Sequence, residues 1–334
     1  MDILHIVGNK DLLEYTENLN YTTEFVGDKY FPKQKSKYLK VLMRSIMGNA
    51  NIPVMAQFHS LDAEARIGER PDFKEIEFEK LPIKEKLNIS ERILEAFGSN
   101  PTDEMKTDIL RFIFNDAWNL TSRLLTRMEV ANMEVLATGK MTINENGINT
   151  VVDYQLPKEN KITFTSWNDA DHDIIGDLEN LKDVVSSKGY QITGALTSTS
   201  VIRYLKKNKA LRSTFTNAGL IPTTDRILAA VNDAVGFTFT VNDKQYKTSI
   251  KGETKNFYPN DTITFFTSAD SEVGVGALGY TPAEILGVQE SERSYVTIMT
   301  DIKKDPVSLW TIADSLYVPL VRNIDGLFIA NIIN

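Results

Sequence analysis

Between Thr102 and Thr138 apolar residues return at gaps of four and three: Met105, Ile109, Ile113, Ala117, Leu120, Leu124, Met128, Ala131 and Val135. That period lays them in one stripe along an α-helix. Asn100 suits the N-cap and Pro101 the first helical position, Asp103 and Glu104 complement the positive end of the dipole, and Gly139 supplies the stop. At ~1.5 Å per residue such a helix is roughly 55 Å long, whereas a compact domain of this size is about 40 Å across. The rod is therefore a coiled-coil seam or the backbone of an elongated molecule. Trp118, Phe112 and Phe114 flank the stripe and widen the buried face, which favours packing on a sheet and the elongated molecule.

A period of two takes over upstream. Phe73 to Leu81 alternates Ile76 and Phe78 against Glu75, Glu77 and Glu79, and Asn51 to His59 is also strand-like. A polar tip from Asp62 to Asp72 joins them, predicting a ribbon of strand, tip and strand. An isolated ribbon is marginal in water, so this one must lean on something else, a partner subunit being one candidate. Residues 62–95 hold ten acids and seven bases, whereas 305–334 carry only Asp305, Asp314, Arg322 and Asp325 as charges. The first stretch cannot build a core alone; the second must lie inside one or against a neighbour. Between the helix and that tail the pattern predicts a hairpin at 140–156, helices at 173–187, 199–207 and 223–234, and strands near 190–195, 237–241, 245–250, 262–267 and 294–300. A glycine-rich loop spans 274–287, and two strands follow at 315–321 and 326–332. A long helix with scattered strands gives an α+β class.

Composition narrows the chemistry. The 334 residues are 42% hydrophobic and 25% charged, ordinary for a globular protein of two or three domains. No apolar run approaches the ~18 residues of a membrane-spanning helix, and the N-terminal residues lack the form of a secretory signal. Cysteine is absent, which removes disulfides, thiolate nucleophiles and cysteine-type zinc sites. A formal charge of −8 argues against a sequence-reading nucleic-acid protein. His5, His59 and His172 lie far apart and without metal-binding spacing.

Three motifs invite a functional reading. Gly274-Val-Gly-Ala-Leu-Gly279 matches G-x-G-x-x-G, but acids precede it and Tyr280-Thr-Pro282 interrupts the helix a dinucleotide loop requires. A loop allowing close backbone approach is the simpler account. Asp169, Asp171 and Asp173 have calcium-loop spacing, yet Ile174 stands where glycine is needed and Asn180 where glutamate is. Helix capping explains the cluster. Arg203, Lys206, Lys207, Lys209 and Arg212 form a solvated cationic face, with Val201, Ile202, Leu205 and Leu211 turned inward. Carboxylates are plentiful, but nothing pairs a nucleophile with a base. No catalytic residue, cofactor-binding residue or metal ligand is assigned.

Three stretches, in order, resemble the major capsid protein family of tailed phages typified by the lambda coat protein, the E family. They are Tyr30-Phe31-Pro32 with Tyr38-Leu-Lys-Val, Trp167 with the acidic run to Asp177-Leu, and Asn256-Phe257-Tyr258-Pro259 before Asp261-Thr262-Ile263. The glycine loop, Asp305-Pro306 and an apolar tail containing Pro319 follow. The resemblance covers nearly the full chain and implies the Hong Kong 97-like fold. On that basis residues 1–50 hold the extended N-terminal arm and first strand, 51–82 the E-loop ribbon, 83–189 the peripheral domain with spine helix 102–138, and 190–290 the axial domain. Residues 291–334 return to the peripheral domain.

The function implied is that of a coat subunit without catalysis, self-associating as pentamers and hexamers around packaged DNA and maturing from a procapsid. Its partners would be copies of itself, a separate scaffolding protein, a portal and a decoration protein. It would make no sequence-specific nucleic-acid or membrane contact, assemble in the host cytoplasm and end in the virion capsid. An encapsulin-like cellular compartment and a soluble nucleotide-binding enzyme are the alternatives.

Overall fold

A computed structural model describes residues 9–18, 25–46, 52, 54–56, 58, 73–96, 102–217 and 219–333. In chain order the first elements are α1 (Asn9–Asn18), α2 (Gly27–Tyr30), β1 (Lys33–Lys35), β2 (Lys40–Ile46), β3 (Phe73–Glu79), β4 (Leu81–Ile89), α3 (Glu91–Ala96) and α4 (Asp103–Thr138). Then come β5 (Lys140–Glu145), β6 (Ile148–Asp153), β7 (Lys161–Thr165), α5 (Ile174–Ser187), β8 (Gly194–Thr197), α6 (Thr199–Lys207), α7 (Lys209–Asn217) and α8 (Thr224–Val235). The remainder are β9 (Thr238–Val241), β10 (Gln245–Lys247), β11 (Thr254–Asn256), β12 (Thr262–Phe266), β13 (Gly274–Leu278), α9 (Pro282–Ile285), β14 (Thr297–Lys304), β15 (Val307–Val321) and β16 (Leu327–Ile333).

The apolar stripe folds as one unbroken helix, α4, whose 36 residues span roughly 54 Å. From Ile109 onward every stripe residue is buried. Its first half packs with Leu12 of α1, Ile89, Ile298 and Leu309; its second half joins Phe78, Tyr154, Tyr317 and Val318. Phe114 packs against Tyr15 in a tilted pair, 4.6 Å between ring centroids. Phe112, expected to widen the buried face, instead points outward and is 47% exposed. At the far end Gly139 takes the left-handed conformation (φ 71°) that closes the helix. Thr264 Oγ1 donates to the Leu136 carbonyl at 2.7 Å, satisfying an acceptor that the helix cannot pair itself.

Two five-stranded sheets flank this rod. In the first, β15 pairs antiparallel with β14 along its first half, β13 along its last residues and β4 over 309–317, while β1 lies parallel on β13. The second runs β7-β16-β12-β8-β9, and its strands β12 and β8 are buried on both faces. Successive strand residues point to opposite sides. Ile263, Phe265, Phe328 and Ala330 therefore meet Leu178, Val201, Ile227 and Val231 of α5, α6 and α8, while Phe266, Leu327 and Ile329 face the core around the rod.

Several expectations change. Strand β3 pairs with β2, not with residues 51–59. Residues 54–56 and 58 carry no strand. By contrast Val41 and Met43 sit opposite Phe78 and Ile76 and share their buried face. The tip at 62–72 and the caps Asn100 and Pro101 fall outside the described residues. Within the N-terminal stretch expected to be extended, residues 9–18 form a helix docked on α4 and β14.

The anticipated boundaries also move. Residues 161–187, placed with the spine, supply β7 and α5 to the second sheet and its helices. Gly274 begins a strand of the first sheet, not a loop, because its ladder to β15 and its lack of a Cβ suit a crowded interior. Within 291–334, β14 and β15 join the first sheet, while β16 inserts between β7 and β12 of the second.

Candidate interaction surface

The N-terminal segment is stitched to the rod before it enters the ribbon. Glu129 of α4 is buried, and both its carboxylate oxygens accept from the Gly27 amide, at 2.9 and 3.0 Å. A side chain at Gly27 would collide with that carboxylate. Burial pushes the Glu129 pKa up to about 7, opposed by the Gly27 amide, raised further by Asp28 and lowered by Lys33. Beside it, the Tyr317 hydroxyl donates to Asn132 Oδ1 at 2.5 Å. Tyr30 stacks on Phe266 at 4.6 Å, and Phe31 covers Gly274, where a Cβ would also press on the Leu320 carbonyl oxygen at 2.5 Å. The aromatic-Phe-Pro segment and the glycine run therefore form one junction.

From this junction the ribbon β2–β3 projects. Its inner face is rooted: Met43 and Phe78 are buried, and Phe78 stacks on Tyr154 at 4.8 Å, whose hydroxyl donates to the Pro319 carbonyl at 2.5 Å. Its outer face carries the Lys40–Glu77 pair at 2.7 Å and Leu42, 56% exposed. Tyr38, Val54, Met55 and Phe58 add apolar surface nearby in sequence, Phe58 fully exposed. At the stem Lys80 is buried and donates to Ser36 through the carbonyl (2.9 Å) and the hydroxyl (2.7 Å). Burial, then the Lys35 charge, lowers its pKa. Lys35 itself pairs with both Glu284 and Glu290 and lies over the Tyr280 ring.

The motifs that invited a chemical reading take these places in the structure. The amides and carbonyls of Gly274–Leu278 pair in the sheet and present no phosphate cradle. Asp173 caps α5 by accepting from the Gly176 amide at 3.0 Å, Asp171 pairs with Lys209, and Asp169 accepts from the Asp171 amide. Among the described residues no group of three ligating side chains could hold a metal. His172 meets Asp177 at 2.8 Å, and the same carboxylate accepts from Trp167 Nε1 at 2.7 Å, so the tryptophan and acidic run make a local strut. Of the cationic run, Arg203, Lys206, Lys207, Lys209 and Arg212 are exposed, and Val201, Ile202, Leu205 and Leu211 are buried as the helical reading requires. His5 and His59 lie outside the described residues. Sequence reasoning missed the Glu129 clasp, the Lys35 cluster and the exposed pair Ile285 and Leu286.

What the arrangement offers is surface. A charge-balanced ribbon with apolar residues on its open side, a buried root and a rigid rod beneath suit binding to another protein. Residues 9–332 match the family described as phage major capsid protein E. No curated protein matches the sequence. Among solved structures, the putative capsid protein of a prophage of E. coli CFT073 aligns over 98% of this chain and 99% of its own, at 16% identity and a TM-score of 0.64. The mature capsid protein of bacteriophage PhiM1 covers 95% of this chain and 90% of its own, at 9% identity and a TM-score of 0.54. The capsid of Myoviridae phage XM1 covers 94% and 95%, at 9% identity and 0.51. These likenesses establish the α+β, Hong Kong 97-like capsid fold. With that fold and a match along nearly its whole length, the chain belongs to the phage major capsid protein E family and serves as a coat subunit of the phage shell.

Proposed function

We propose that the chain works by association alone, without catalysis, and that its two sheets do different work. The first sheet with α4 is the peripheral body; the second sheet with α5 to α8 is the axial part, gathering at the centres of pentamers and hexamers. The ribbon β2–β3 is the E-loop, lying over an adjacent copy. The carrying observation is its asymmetry: the inner face is fixed on Tyr154, while Leu42 on the outer face is open. An unbroken α4 beneath, joined at one end to Thr264, carries strain between the two parts as the shell expands.

The family reading adds a separate scaffolding protein, a portal and a decoration protein as partners, with assembly in the host cytoplasm. Co-expression with the scaffolding protein of its own phage should yield closed shells by electron microscopy. Persistent monomers under those conditions would overturn the reading. Removing residues 61–72 should leave the monomer folded and shells fewer or fragile; an unfolded product would mean that the tip belongs to the core.

A further inference from the structure

A short apolar protrusion and an apolar hole lie at the same edge of the first sheet. The protrusion is the end of α9. Ile285 is 78% and Leu286 85% exposed, two adjacent aliphatic side chains in water. Yet their backbone is held firmly. Thr281 and Glu284 form a reciprocal capping box, Lys35 grips the Glu284 carboxylate, and the Leu286 amide donates to the Pro282 and Ala283 carbonyls. Gly287, at φ 90°, ends the turn. A rigid apolar pair loses little freedom on docking, which marks a contact anchor. Its groove is acidic: Glu17, Glu290 and Glu292 line it, and Arg293 donates to the Glu17 backbone carbonyl.

The hole, of about 380 Å³, lies between the ribbon root and the first sheet. Val41, Met43, Val275, Ala277 and Leu320 line it, exposed Gln34 stands at its mouth, and Arg322 is exposed at its rim. That volume accommodates a small apolar ligand. Lys35 of β1 reaches the α9 turn, whereas its neighbour Gln34 lines the hole. Alternation along the strand therefore puts protrusion and hole on opposite faces of one edge. They cannot meet within a chain.

The geometry points to a head-to-tail contact in which Ile285 and Leu286 of one copy enter the hole between Met43 and Ala277 of the next, with Glu292 facing Arg322. Each copy thus gives its protrusion to one neighbour and its hole to another, a heterologous contact that repeats instead of closing as a dimer. This inference rests on the coat-subunit reading and specifies one of its joints.

A chain without cysteine makes the test clean. Shells of the double variant Q34C/L286C, oxidised and run without reductant, should give a ladder of covalent multimers, whereas Q34C and L286C shells stay largely monomeric on the gel. Wild-type protein that forms no shells would count against the coat reading itself. Shells of Q34C/L286C that form without a ladder would overturn only this contact. Should Q34C/L286C fail to assemble, charge reversal decides: R322E and E292R should each cut shell yield about tenfold, and together restore it. Absence of restoration refutes the contact. A ladder abolished only by an added decoration protein would also refute it, by assigning the hole to that protein.

Discussion

The second sheet and the ribbon are both made of alternating strands, yet one is finished and the other is half finished. Along β12 all five residues are buried, because helices cover one face and the core around the rod covers the other. Along β2 and β3 the alternation has a single outcome: Met43 and Phe78 are enclosed while Leu42 stays open. A strand buried twice contributes to the stability of its own chain. A strand buried once keeps half of its apolar surface for another molecule. The difference separates residues that make this subunit fold from residues that make it associate.

The largest expected effect breaks the finished side. Phe265→Ala should cost about 3–5 kcal/mol in denaturant unfolding of the isolated subunit, since a ring packed against Phe237 leaves a cavity. A loss below about 1 kcal/mol would mean that the second sheet is not self-sufficient.

Next comes the joint between ribbon and rod. Because Glu129 titrates at about 7 when folded and near 4.5 ordinarily, the folded state holds this proton more tightly. Its favourable contribution is full below about pH 4.5 and falls as pH rises through 7, by at most about 3 kcal/mol. Glu129→Gln keeps an acceptor for Gly27 and removes the charge. The variant should be more stable than the parent at pH 8, and its stability should vary less between pH 5 and 8. Unfolding curves at both pH values check this, and parallel pH profiles for the two proteins would contradict it.

Tyr154→Phe keeps the stacking on Phe78 but strips the Pro319 carbonyl of its donor, an expected loss of about 1–2 kcal/mol in thermal or denaturant unfolding. Smallest on the monomer is Leu42→Ala, within about 0.5 kcal/mol of the parent because the side chain faces solvent. Its shells, however, should form in clearly lower yield. A large monomer effect from Leu42→Ala, or none on shells, would erase the distinction between the two regions.

Local chemistry was legible in the sequence wherever one element determined its own form. The period of four and three exposed α4, alternation exposed β3, and Asp173 announced the start of α5. Pairing was not legible. Residues 51–59 were expected to pair with Phe73–Glu79, yet 40–46 does so, because Val41 and Met43 share its buried face on the Tyr154 side. Gly274–Leu278 looked like a loop because its glycines serve Phe31, a residue distant in the chain. For the same reason Lys35 and Glu129 gave no clear sign of their partners, which come together only once the sheets are built.

The place of β16 bears on timing. It lies between β7, which it meets in parallel, and β12, and it is translated after every other strand of either sheet. Until β16 is made, β7 has no partner in that sheet, and the non-local closures that join it to β12 are inherently slow. The second sheet of a nascent copy is thus incomplete until β16 has been made.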